Sequence, residues 1–272
     1  DAELATSALE SGRLAVAIHI LRQRASEWRS LAPLHAPLGL LARSNRALAD
    51  SIVAVTQDGR ASRLERARLS LAAGIWSEAA GDVSAARAHY DRARRMSSDT
   101  SLVSDVVTRA GLLEVRSAGT LDGARTELER AKAMAADPAR LAAVDSALRL
   151  AARLADAPDS TGASLFLAAE VARDAVGAVP LARALFLAAA REYPRSSLAP
   201  RALLAAANLT PDSARVWQAT VVQTYGTSPY AHALTGKPVL PTALDADERL
   251  LHQMWIRARS PGDSASVAGR RP

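Results

Sequence analysis

LARALFLAAAREYP, residues 181–194, decides how this chain is read. Ala182, Phe186 and Ala189 recur at helical spacing and fall on one stripe of a helix. Small residues let two helices approach, the aromatic between them fills the groove, and Pro194 stops the element because proline cannot continue a helix. The segment reads as the second helix of a packed pair. Gly81, Ala86, Tyr90 and Ala93 in GDVSAARAHYDRA carry the same offsets, and Gly119, Ala124, Leu128 and Ala131 in GTLDGARTELERA repeat them 38 residues later. Gly177 before Ala182 completes a third copy, and a weaker fourth runs through Ala214, Trp217, Val221 and Tyr225. The glycine ahead of each of the first three marks the turn between paired helices.

Small residue, aromatic, small residue, proline: this order resembles the second half of a tetratricopeptide unit. The resemblance implies an all-α, right-handed solenoid of degenerate helix pairs over residues 1–235, a protein-interaction scaffold with no catalytic residues. Composition agrees with a helical stack. Of the 272 residues 49% are hydrophobic but only 4% aromatic, so Ala and Leu must build the core. Ala has the highest helix propensity and a side chain small enough for close helix approach. Long alternating β-branched runs are missing, and no sheet is expected.

The apolar periodicity predicts a helix over Ala2–Arg24, with Leu4, Leu9, Leu14, Ile18 and Leu21 facing inward and Ser11-Gly12 splitting it. Pro33 and Pro37 mark a connection, followed by one helix over Leu38–Val55 and a turn at Asp58-Gly59. Helix pairs are then expected at Arg63–Glu78 with Ser84–Met96, at Thr100–Ser117 with Leu121–Ala135, at Ser164–Val176 with Val179–Glu192, and at Leu198–Ala207 with Asp212–Thr224. Between the second and third pairs, Asp137 caps a helix over Ala139–Leu154 that ends at the break from Asp156 to Asp159. A short helix falls within Gly226–Leu234. Residues 236–272 form a second region: GKPVLP, Gly236–Pro241, should run extended, and Asp245–Arg259 should be a capping or docking helix with Leu250, Leu251, Met254 and Trp255 on one side. The Ser-, Gly- and Arg-rich residues 260–272 follow as a tail that a partner would have to order.

YPRSSLAPRALLAAANL, Tyr193–Leu209, resembles the junction between repeats in tetratricopeptide proteins of the bacterial envelope, the group of the outer-membrane assembly lipoprotein and the Tol-Pal coordinator. TYGTSPYAHAL, Thr224–Leu234, echoes it. The physical roles are legible: Tyr193 covers the finished helix, Pro194 stops it, Ser196 or Ser197 caps the next, and Ala199 and Ala202 let that helix dock closely. The resemblance implies an envelope scaffold. A start at Asp1 without Met fits a mature chain whose signal peptide has been removed, and thus a periplasmic or extracytoplasmic location. With no cysteine among the 272 residues, disulfides cannot report the compartment, and the amino-terminal cysteine of the assembly lipoprotein has no counterpart here, a departure from that group. No run of 18 apolar residues occurs, so any membrane contact is expected to be peripheral.

The chain carries 34 Lys and Arg against 28 Asp and Glu. The basic residues are interspersed with acids at helical spacing, as in Arg63, Glu65, Arg66 and Arg68. That pattern describes solvated helix faces rather than a nucleic-acid surface, which would cluster its basic residues and interleave aromatics. A basic face toward acidic partner segments or anionic headgroups is the functional alternative.

Chemistry is sparse. The five histidines share no metal-ligand spacing, and phosphate loops, nucleophile elbows and dinucleotide fingerprints are missing. His89 is expected on a helix surface, and the pairs Glu127 with Glu129 and Asp245 with Asp247 point to different faces. No catalytic residue, cofactor, metal or small-molecule substrate is expected. Trp76 and Trp217 read as core residues, while Trp28, Trp255, Arg257 and Arg259 are the candidate interface residues. The functional expectation is a non-catalytic scaffold that binds protein partners. Its alternatives are an accessory subunit held permanently on an energy-transducing or secretory membrane complex, and a cytosolic adaptor.

Overall fold

The structure, a computed structural model, describes residues 1–25, 27–134, 137–239 and 241–259. Among these the chain is all-helical, with fifteen α-helices and no strand. It divides into two compact units, residues 1–114 with 129–141 and residues 115–128 with those from 142 onward.

The first unit begins with α1 (Ala2–Glu10) and α2 (Leu14–Arg24), separated at Ser11-Gly12 as the sequence predicts. Gly12 sits at φ +73°, a left-handed conformation that a side chain would strain. The inward stripe is the expected one only in part: Leu21 is buried, and Leu9 and Ile18 are partly so. Leu4 and Leu14 are exposed, and Ala5, Ala8 and Ala17 are buried in their stead. Small side chains take the inner positions because they let the helix axes come close.

A 3₁₀ turn at Ala32–Leu34 leads into α3 (His35–Ser44), and Pro37 lies in its first turn, where a missing N–H breaks no helical bond. The single helix expected over Leu38–Val55 is in fact two. Asn45 leaves helical geometry at φ −151°, ψ 87°, and its side chain accepts a 3.1 Å bond from the Leu48 N–H to start α4 (Arg46–Gln57). An Asn cap satisfies one of the orphan donors of a helix start and outweighs continuous apolar periodicity.

After the turn at Asp58-Gly59 comes α5 (Arg63–Ala79), capped by Ser62, whose Oγ accepts from the Glu65 N–H. The Glu65 carboxylate accepts from the Leu31 N–H at 2.9 Å, tying the connection ahead of α3 to the start of α5. Asp82 caps α6 (Val83–Met96) through the Ala85 N–H. The core around α2–α4 gathers Leu21, Leu31, Leu34, Leu38, Leu41 and Ile52.

Three helices contribute residues to both units: α7 (Thr100–Ser117), α8 (Leu121–Ala133) and α9 (Pro138–Ala155). The helix expected to reach Ala135 ends at Ala133, and Ala135 itself lies outside the described residues. Asp137 accepts from the Ala139 N–H and Pro138 opens α9, as read from the sequence.

In the second unit Asp159 organises the break before α10 (Ala163–Val171). Burial would raise its pKa, yet hydrogen bonds from Thr161 and Ser164 hold the carboxyl below its ordinary value. The helix does not run to Val176 in α geometry. It widens into a π turn at Ala172–Val176, closed by Gly177 at φ +75° and by a 2.8 Å bond from the Ala178 N–H to the Ala172 carbonyl.

Next come α11 (Val179–Glu192) and α12 (Leu198–Asn208), the latter begun by the Leu198 N–H donating to Ser196 Oγ. A 3₁₀ turn at Pro211–Ser213 opens α13 (Ala214–Thr224), and Ser228 caps α14 (Pro229–Leu234). The last helix, α15 (Pro241–Arg259), starts four residues before the expected Asp245. The extended segment is correspondingly shorter than Gly236–Pro241, because proline fits the first turn of a helix. Leu240 and the tail 260–272 lie outside the described residues.

Candidate functional site

The three second-helix stripes are all buried: Ala86, Tyr90 and Ala93 on α6, Ala124, Leu128 and Ala131 on α8, and Ala182, Phe186 and Ala189 on α11. Gly81 and Gly177 adopt positive φ at the turns, whereas Gly119 turns the chain without it. In the first unit Tyr90 is fully buried and its hydroxyl donates to Glu78 Oε2 at 2.6 Å. Burial pushes the Tyr90 phenol far up, and the Glu78 carboxylate adds to it.

The ring of Tyr90 lies on Gly74 of α5. A Cβ there would stand 2.6 Å from Tyr90 Cδ1, and a Cβ on Gly111 of α7 would overlap that of Ala131. These two mid-helix glycines are the first-helix half of the packing, which the sequence reading did not single out. The signal was present, since glycine inside a helix costs about 1 kcal/mol relative to Ala and needs a packing reason. In the second unit Phe186 meets Phe166 of α10 edge to face, with centroids 5.0 Å apart. Tyr193 packs over Gly162, and Pro194 is exposed in the turn that follows α11. The fourth stripe is weaker, as Val221 is buried while Ala214, Trp217 and Tyr225 are only partly so.

Trp217, expected in the core, is partly buried, and of α13 only Val221 is fully enclosed. Trp76 is partly buried against the first unit's core, and so is Trp28, which was expected as an interface anchor. His89 corrects a further expectation. It is buried rather than on the surface, with Nε2 3.2 Å from Asp50 Oδ1. Asp50 and Asp82 both pair with Arg46, Asp82 at 2.5 Å, so the cluster ties α4 to α6. Burial holds the His89 imidazole below its ordinary value, against the opposing pull of Asp50.

The remaining interface candidates gather on α15. Asp247 is buried, accepting from Ser197 Oγ at 2.5 Å and from Tyr230 Oη at 2.9 Å. One turn of chain is thereby held by α12 and α14 at once. Burial, reinforced by Asp247, pushes the Tyr230 phenol up to about 12. Glu248 meets Arg201 of α12 at 2.7 Å, and Leu251 is buried. Asp245, in contrast, is exposed, so the two acids do point to different faces.

Beyond Leu251 the fit opens. A crevice of about 390 Å³ lies between α10 and α15, lined among others by Glu170, Arg201, Glu248, His252 and Trp255. Burial pushes the Glu170 carboxyl up, with Arg173 opposing. Trp255 is half-buried at the crevice, the Arg259 guanidinium stands 5.6 Å from its ring centroid, and Arg257 is exposed. No group of His, Cys, Asp and Glu able to hold a metal ion occurs among the described residues. Among them, too, no helix is long and apolar enough to cross a membrane. No protein-family model, curated protein or solved structure matches the chain.

Proposed function

We propose that the chain is a non-catalytic scaffold of degenerate tetratricopeptide-like helix pairs, arranged as a right-handed solenoid, which binds protein partners at the extracytoplasmic face of a bacterial membrane. The observation that carries the reading is the repeated burial of a small, large, small stripe on α6, α8 and α11. In two of these pairs a first-helix glycine faces that stripe, Gly74 at Tyr90 and Gly111 at Ala131. The α5–α6 and α10–α11 pairs are closed by their own contacts, which leaves their outward faces available for recognition. The Tyr193–Leu209 junction supports an envelope location, and the scattered ion pairs, such as Arg87 with Glu114, fit solvated helix faces.

The test is co-migration. Cells expressing the tagged chain are fractionated, and their membranes are extracted in mild detergent and run on a native gel. The chain should appear in the envelope fraction and travel with a larger assembly. Recovery in the cytosol, or migration as the isolated chain, would refute the proposal.

A further inference from the structure

In the first unit α4 rests on α3 and α5, and α6 on α5, while α4 and α6 meet through long side chains rather than close backbones. Their joint is a run of polar contacts in which no oxygen is used twice. His89 Nε2 stands 3.2 Å from Asp50 Oδ1, Arg46 Nε lies 3.4 Å from Asp50 Oδ2, and an Arg46 Nη donates to Asp82 Oδ2 at 2.5 Å. Asp82 Oδ1 accepts from the Ala85 N–H at 2.8 Å, so the run ends on the cap of α6. His89 is its buried end, whereas Arg46, Asp50 and Asp82 all reach solvent. The other ring nitrogen, Nδ1, is shielded from solvent and meets no hydrogen-bonding group of the protein. With Nε2 against a carboxylate, the neutral ring carries its proton there and leaves only a lone pair on Nδ1. Protonation would put a second N–H on Nδ1, a buried donor with no acceptor, and a charge in the interior.

The charges around the ring do not offset that cost. From α4 come Asp50 and Arg46, and Arg46 already shares the Asp50 carboxylate. From α6 itself come Arg92, one turn on, and Asp82, which Arg46 engages. The Glu78 carboxylate of α5 takes the Tyr90 hydroxyl, and on α7 Asp105 pairs with Arg109 and Glu114 with Arg87. Burial lowers the His89 pKa, Asp50 opposes it, and Arg92 and Arg46 add to the lowering. We infer that His89 is the acid-sensitive element of a latch between α4 and α6: the neutral ring holds the two helices together, and the protonated ring leaves the interior, so that α4 parts from α6 while α5 and α6 stay paired. The α5–α6 contact is built on Tyr90 and Gly74 and contains no group that titrates between about pH 5 and 8. An opened ring titrates at its ordinary 6.5 and the closed one below it, so the latch is firm above that pH and weakens as the pH falls through it. This goes beyond the scaffold reading and holds whatever the chain binds.

The experiment is hydrogen–deuterium exchange of the full chain, read by mass spectrometry at about pH 7.5 and about pH 5 and corrected for the intrinsic pH dependence of exchange. Because a buried donor without an acceptor is costly, α4 should lose protection at least about fivefold at the lower pH relative to the middle of α5. His89→Gln, whose amide can donate to Asp50 without titrating, should abolish this response. His35→Gln is the control: burial also holds His35, in the same unit, below its ordinary value, and this variant should respond like wild type. Should His89→Gln fail to fold, imidazole nitrogen NMR of the wild-type chain decides, since the ring should be the Nε2–H tautomer near neutral pH and titrate below 6.5. A response that survives in His89→Gln or vanishes in His35→Gln would overturn the inference. So would an equal loss of protection across α4, α5 and α6, which is general acid unfolding, or an Nδ1–H tautomer in the wild-type ring.

Discussion

Gly74→Ala tests the packing of α5 on α6 in a single methyl group. In an exposed helix the change would stabilise by about 1 kcal/mol, because Ala is the better helix former. Here the new Cβ would lie 2.6 Å from Tyr90 Cδ1, closer than real side chains come, so the ring must move. It has nowhere to go: Tyr90 is fully buried and its hydroxyl is held by Glu78, on the same helix as Gly74. Overpacking costs about 1–3 kcal/mol, and a weakened hydrogen bond to a charged group up to about 1.5–3 more. Against the gain in propensity, the net loss should be about 2 kcal/mol. In a unit of this size that lowers the melting temperature by roughly 5–10 °C. Differential scanning calorimetry of the full chain would read it, with Gly119→Ala as control, since nothing lies within 4 Å of a Cβ there and φ is not positive. Gly74→Ala melting at or above wild type would refute the close contact.

Phe186→Ala should leave a cavity beside Phe166 and cost about 3–5 kcal/mol in chemical denaturation; wild-type stability would contradict the register of α11. His89 titrates below its ordinary 6.5 when folded, so the unfolded chain binds the extra proton first. Its contribution is therefore complete above about pH 7 and declines as the pH falls through 6.5 and below, and melts of His89→Gln between about pH 7.5 and 5 should be flatter than wild type. Tyr230 has the opposite sign: with its folded pKa raised to about 12 from 10, its stabilisation is intact below pH 10 and lost above it. Ultraviolet titration should show the phenolate step near pH 12 disappear in Tyr230→Phe, while the still later Tyr90 remains protonated.

The second helices were the legible part of this chain. Ala86, Tyr90 and Ala93 announce a buried stripe because their spacing is helical and their sizes alternate, and Val179–Glu192 could be bounded to the residue. The first helices were less so. Gly74 and Gly111 look like local defects until the partner helix is placed against them. The break at Asn45 was hidden because apolar periodicity continues on both sides of it, and one cap hydrogen bond decides the matter. In the candidate site, Trp255 and the amphipathic α15 were readable, but the burial of Asp247 was not, since Ser197 and Tyr230 come from helices distant in sequence. His89 was misjudged for the same reason: Asp50, its partner, lies two helices earlier.

The return of α15 to α10 also sets an order of events at the ribosome. Most helices of this chain pack on near neighbours in sequence, so they can pair soon after they emerge. The loop that α15 closes spans the four helices from α11 to α14, and it cannot close until α15 itself has been made. Until then Ser197, Arg201 and Tyr230 lack the Asp247 and Glu248 carboxylates that pair with them in the finished fold.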